Sequence, residues 1–83
     1  MYLHLGQDTV VRLADITGIF DIENTSIGKA TKDFLRRAEQ EGRVVNVSYE
    51  LPKSFIVCSD SRVYISQISP ATLRKRAHFL ENA

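Results

Sequence analysis

The sequence predicts a small single α+β domain over residues 1–83, in the order β-β-β-α-β-β-β-α, with a mostly antiparallel sheet and two helices. Three observations carry this. Several short segments alternate apolar and polar residues with a period of two, the signature of half-buried strands. Two longer stretches space their apolar residues at the 3.6-residue period of a helix. The joints between the early strands are short, which favours antiparallel neighbours.

Tyr2–Leu5 is the first strand and ends at Gly6. Asp8–Leu13 follows, with Val10, Val11 and Leu13. In Ile16–Ile22, the residues Ile16, Gly18, Phe20 and Ile22 point one way, and Thr17, Ile19 and Asp21 the other. A helix comes next. Asn24, Thr25 or Ser26 supplies a side-chain oxygen for its first free amides. Its apolar positions are Ile27, Ala30, Phe34, Leu35 and Ala38, and Gly42 closes it in a left-handed conformation. Arg43–Tyr49 alternates again, and Glu50-Leu51-Pro52-Lys53 is a loop because proline cannot donate to a central ladder. Ser54–Ser59 and Arg62–Ile68 are strands joined by the turn Ser59-Asp60-Ser61. Ser69-Pro70 opens the last helix, a capping hydroxyl followed by proline at the first helical position. Leu73, Ala77 and Leu80 form its apolar stripe. The two-part layout suggests a two-part sheet with both helices on one side.

Composition narrows the function. A chain of 83 residues buries only about 60–65% of its unfolded surface, so it gains from a partner. Its 43% hydrophobic and 25% charged residues argue against disorder. One cysteine, Cys58, leaves no internal disulfide framework and no cysteine-based zinc knuckle, which fits a reducing compartment. The N-terminus has no signal-peptide pattern, and no apolar run approaches the ~20 residues of a membrane span. A cytoplasmic protein without membrane contact is expected.

Catalytic chemistry needs a constellation, and none is visible. His4 and His78 stand far apart, and the four glycines form no phosphate loop. Cys58, inside the apolar run Phe55–Cys58, reads as a small packed hydrophobe. The chain is therefore read as a non-enzyme with no cofactor and no metal.

Charge distribution says more than the sum. Lysine and arginine total 11 against 10 acids, a net charge of +1. Lys29, Lys32 and Arg36 follow i, i+3, i+7 and make a basic stripe on the first helix, with Arg37 alongside. Such a stripe is either a solvated face or a row of phosphate contacts. Arg12, Arg62 and Lys53 are strand or loop cations. Pro52 stiffens the loop that holds Lys53 out at a defined place. Arg74-Lys75-Arg76 lies beside the stripe of the last helix.

Several segments in this order resemble the small bacterial regulators of extracellular-matrix (biofilm) genes, the RemA/RemB family. They are Leu5-Gly6, the helix end from Arg36 to Gly42, Val45-Asn46-Val47-Ser48-Tyr49, Phe55-Ile56-Val57-Cys58-Ser59-Asp60 and Ile68-Ser69-Pro70-Ala71-Thr72-Leu73. The pattern covers nearly the whole chain and looks most like the RemB branch. The resemblance implies a cytoplasmic, oligomeric regulator with a LytTR-like fold, and DNA as the partner of a ring. In the RemA branch the grip comes from adjacent arginines in the loop after the fourth strand and from another just before the third. Here that loop reads Glu50-Leu51-Pro52-Lys53, and Asp15 stands ahead of the third strand. An acid in place of arginine turns attraction for phosphate into repulsion.

A ring also suits a small β-rich chain, which has strand edges to hide and a core to complete. Tyr2, Ile19, Leu51 and Phe79 are the apolar candidates for the contact between subunits, although each also fits a core position. Two functions follow. The first is a DNA-binding oligomeric regulator using Lys53, Lys29, Lys32, Arg36, Arg12 and Arg62. The second is an oligomeric protein-interaction regulator that does not bind DNA directly.

Overall fold

The computed structural model describes residues 1–22 and 28–81. Asn24, Thr25, Ser26 and Ile27, on which the capping reading and the first helical apolar position fall, lie outside them, as does the side chain of Leu80.

β1 (Tyr2–Gly6) and β2 (Thr9–Arg12) form an antiparallel hairpin, with Leu3 opposite Val11 and His4 opposite Val10. The turn requires Gly6: its φ is +122°, and a Cβ there would lie 2.8 Å from the Gln67 side chain. The hairpin does not continue into the third strand, contrary to the expectation from the short joint. A single 3₁₀ turn, Leu13–Asp15, redirects the chain, and β3 (Ile16–Asp21) joins a different sheet.

That second sheet has four strands in the order β3-β5-β6-β4. β5 (Ser54–Cys58) and β6 (Val63–Ser66) form its central hairpin, and β3 pairs antiparallel with β5. β4 (Val44–Asn46) pairs with β6 in parallel. It is much shorter than the Arg43–Tyr49 alternation suggests, because beyond Val47 the chain leaves the ladder. The turn between β5 and β6 has Ser61 at φ +73°, and the Asp60 carboxylate accepts from the Arg62 N–H at 3.0 Å.

α1 (Lys29–Gln40) begins at Gly28 with no side-chain cap. It ends before Gly42, which takes φ +71° as its position demands. α2 (Pro70–Glu81) begins as expected, with the Ser69 hydroxyl accepting from the Thr72 N–H at 3.2 Å.

The helices lie on opposite faces of the sheet, not on the same side. Successive residues of β5 show why. Ile56 and Cys58 face one way, into a core with Leu3, Leu5, Val11, Val47 and Leu73. Phe55 faces the other, against Ala38 and Val63 with Phe34 and Leu35 packed beside them. The hairpin and α2 therefore cover one face and α1 the other. β3 serves both faces through an irregularity between Ile16 and Gly18, where the register against β5 shifts. That shift puts Ile16 and Ile19 on the same core instead of on opposite sides.

Candidate nucleic-acid interface

α1 buries Ala38 and half-buries Phe34 and Leu35, which turns Lys29, Lys32 and Arg36 to the opposite side. All three are exposed. Arg36 lies 3.6 Å from Asp33, one turn away. Lys29, Lys32 and Arg37 have no carboxylate partner among the described residues.

Lys53 is anchored through its main chain. Its N–H donates to the Ser66 carbonyl at 2.9 Å, and its carbonyl accepts from the Ile22 N–H at 3.1 Å. These bonds pin the loop's end to β6 and to the end of β3, while the side chain is exposed. The amine thus projects from a fixed backbone, as the proline-stiffened loop suggests.

Arg12 and Arg62 come together in one polar pocket of about 230 Å³, whose lining includes Asp15, Asp60, Cys58 and Tyr64. Both arrive already paired. Arg12 Nε and Nη2 each donate to Asp15 carboxylate oxygens at 3.1 Å, a side-on fork. Arg62 Nε lies 3.6 Å from Asp60. A hydrogen bond to Tyr64 and the charge of Asp60 hold Arg62 still more firmly protonated. The four charges cancel, so this pocket offers phosphate no net attraction. In the sequence Arg12 and Asp15 stand as separate charges. Their spacing of three residues across a tight turn is the signal that they meet.

The candidates for the subunit contact divide as well. Tyr2 and Phe79 are 63% and 73% exposed and line one groove of about 490 Å³ between β1 and α2. Leu3 and Thr72 also line it, with Lys75 and Arg76. Leu51 is 76% exposed in the loop before β5. Ile19 is half-buried and packs on the core, which leaves little of it for a neighbour.

Two residues, Tyr49 at the end of the Arg43–Tyr49 alternation and Arg74 in the basic run of the last helix, stand otherwise than the pattern indicates. Tyr49 is fully exposed. Arg74, instead of joining the neighbouring cations, donates to the main-chain carbonyl of Ile19 and so ties α2 to β3. Among the described residues no group of three His, Cys, Asp or Glu side chains is arranged to hold a metal ion. Among them, too, no helix is long and apolar enough to cross a membrane.

Residues 2–77 match the RemA-like family, described as extracellular matrix regulatory protein A-like. The chain belongs to the RemA-like family. Extracellular matrix regulatory protein B of Bacillus subtilis strain 168 is 40% identical to it over 80 residues, covering 96% of this chain and 94% of that protein. In this RemA-like chain, the loop Glu50–Lys53 offers one anchored cation, and Asp15 is occupied by Arg12.

Proposed function

We propose that this protein regulates extracellular-matrix gene expression as an oligomer that binds the DNA backbone. The oligomer is proposed to be a ring. The observation that carries the reading is the α1 face. Lys29, Lys32 and Arg36 stand in one exposed row opposite the core-facing side of the helix, and two of the three lack an acidic partner among the described residues. Repeated around an oligomer, such rows contact successive phosphates and release counterions, which offsets the near-neutral charge of one subunit. Lys53 adds a cation on a pinned loop. Arg12 and Arg62 contribute only where phosphate displaces Asp15 and Asp60.

A mobility-shift series in rising salt tests this. The triple change Lys29→Glu, Lys32→Glu, Arg36→Glu is expected to weaken binding on any DNA sequence. It should also flatten the slope of log affinity against log salt, by about one for each phosphate no longer neutralised. Lys53→Glu is expected to act in the same direction. Absence of binding by the wild-type assembly at low salt would sink the DNA reading. The neutralised Arg12–Asp15 and Arg62–Asp60 pairs favour the second reading in that event: an oligomeric regulator acting through protein contacts.

A further inference from the structure

Two elements meet at the groove of about 490 Å³, and each brings a face that the core leaves over. On α2, Leu73 and Ala77 turn to the core. Thr72, Lys75, Arg76 and Phe79 then follow the i, i+3, i+4, i+7 spacing of one neighbouring face. On β1, Leu3 is buried, so Tyr2 and His4 on either side of it stand on the other face of the strand. These two faces line the groove, and no acidic side chain among the described residues joins them.

The lining combines aromatic walls with uncompensated positive charge. The Tyr2 and Phe79 rings are largely exposed, and among the described residues neither contacts another ring. The His4 ring is committed, its Nε2–H donating to the Gln7 carbonyl at 2.6 Å. The Thr72 hydroxyl is likewise engaged, accepting from the Ser69 hydroxyl at 3.0 Å. Lys75 and Arg76 are exposed and have no carboxylate partner among the described residues. The pocket of Arg12 and Arg62 differs in this respect, because it carries its own carboxylates. Small-molecule sites are apolar clefts of about 300–1,000 Å³ with a few convergent polar groups, and this groove fits that description.

We infer that the groove binds a small flat aromatic acid, with its ring between Tyr2 and Phe79 and its anionic group on Lys75 and Arg76. Aromatic walls favour a flat π-system over an aliphatic chain, and two unpaired cations select a negative charge over none. The inference goes beyond the function proposed above and depends on neither DNA binding nor assembly. It uses no residue of the Glu50–Lys53 loop. The α1 row lies on the opposite face of the sheet, so the acid and phosphate do not compete for one surface. A bound acid would bridge β1 and α2 and stabilise the docking of the hairpin against that helix.

Titration calorimetry of the full chain with naphthoate, naphthalenemethanol and naphthylmethylammonium separates ring from charge, since the three share one ring system. Naphthoate is expected to bind saturably and most tightly, and the ammonium least. The paired change Lys75→Glu, Arg76→Glu should invert that order and weaken naphthoate by about tenfold or more. The inverted order itself shows that the paired variant is folded. Phe79→Ser, which changes an exposed side chain, should weaken all three probes. No saturable binding of naphthoate by the wild type would overturn the inference. So would equal binding of naphthoate and the alcohol, an order that charge reversal leaves unchanged, or full affinity in Phe79→Ser. Light scattering without any probe supplies the last arm. If Phe79→Ser dissociates a wild-type assembly, a second copy occupies the groove and the inference is wrong.

Discussion

Cys58 shows how burial settles a residue's chemistry. It sits in the central strand, packed into the core beneath α2 and the hairpin. Burial raises its thiol above the ordinary value of 9.0, and the nearby carboxylates of Asp60 and Asp15 push in the same direction. A protonated buried thiol is a poor nucleophile. Thiol-reagent labelling at neutral pH is therefore expected to be slow in the folded protein and complete after denaturant is added. Rapid labelling of the folded chain would contradict this placement. The raised value also fixes the sign for stability. Below about pH 9 the thiol is protonated in both states. As pH climbs above that, the unfolded thiol ionises first, so this group's contribution to stability is lost on the alkaline side. Two buried hydroxyls make the same point about partners. Ser66 donates to the Leu5 carbonyl at 2.6 Å and Ser54 to the Ile68 carbonyl at 2.8 Å, which ties the hairpin and the approach to α2 onto the sheet. Both serines read as ordinary strand residues in the sequence, because carbonyls 61 positions away for Ser66 and 14 for Ser54 leave no local trace.

At the scale of elements, local pattern works where one face alone has to be buried. The stripe Leu73–Ala77 of α2 and the Ser69 cap behave as their spacing indicates. Leu73 is wholly buried at the start of that stripe. Leu73→Ala should cost about 2–5 kcal/mol in denaturant unfolding, since it removes packing and leaves a cavity. Glu39→Ala, on the exposed side of α1, should stay within about 0.5 kcal/mol. Equal costs would mean that α2 is not docked through Leu73. Pattern fails where an element meets two environments. β3 reads as one clean alternation, yet the register shift after Ile16 lets Ile16 and Ile19 share a core. β4 spans only Val44–Asn46 and pairs in parallel with β6 at the sheet's edge.

For the whole molecule, the distribution of exposed surface matters more than composition. A chain of 83 residues leaves Tyr2, Tyr49, Leu51 and Phe79 in water, which a lone small domain gains nothing by doing. If assembly covers part of this surface, the folded state is stabilised by mass action. The melting temperature of the wild type is then expected to rise with protein concentration. Concentration-independent melting of the wild type would count against assembly as the means of covering this surface.

Residue order alone is enough for the α+β class, most of the element order, the caps and turns at Gly6, Ser59–Ser61 and Ser69-Pro70, and the basic row on α1. These rest on neighbours within a few residues, where backbone sterics, periodicity and short-range hydrogen bonds act. The face that each helix covers is set by tertiary packing, because β5 buries both its faces and its sequence reads the same either way. Packing also sets the pairing of Arg12 with Asp15 and Arg62 with Asp60, the anchoring of Lys53 between Ile22 and Ser66, and the meeting of Tyr2 with Phe79 in one groove. Which charges remain unpaired, and which apolar side chains remain wet, depends on what the rest of the chain has already covered. For this protein that remainder, rather than the net charge of +1, defines the surface available to a partner.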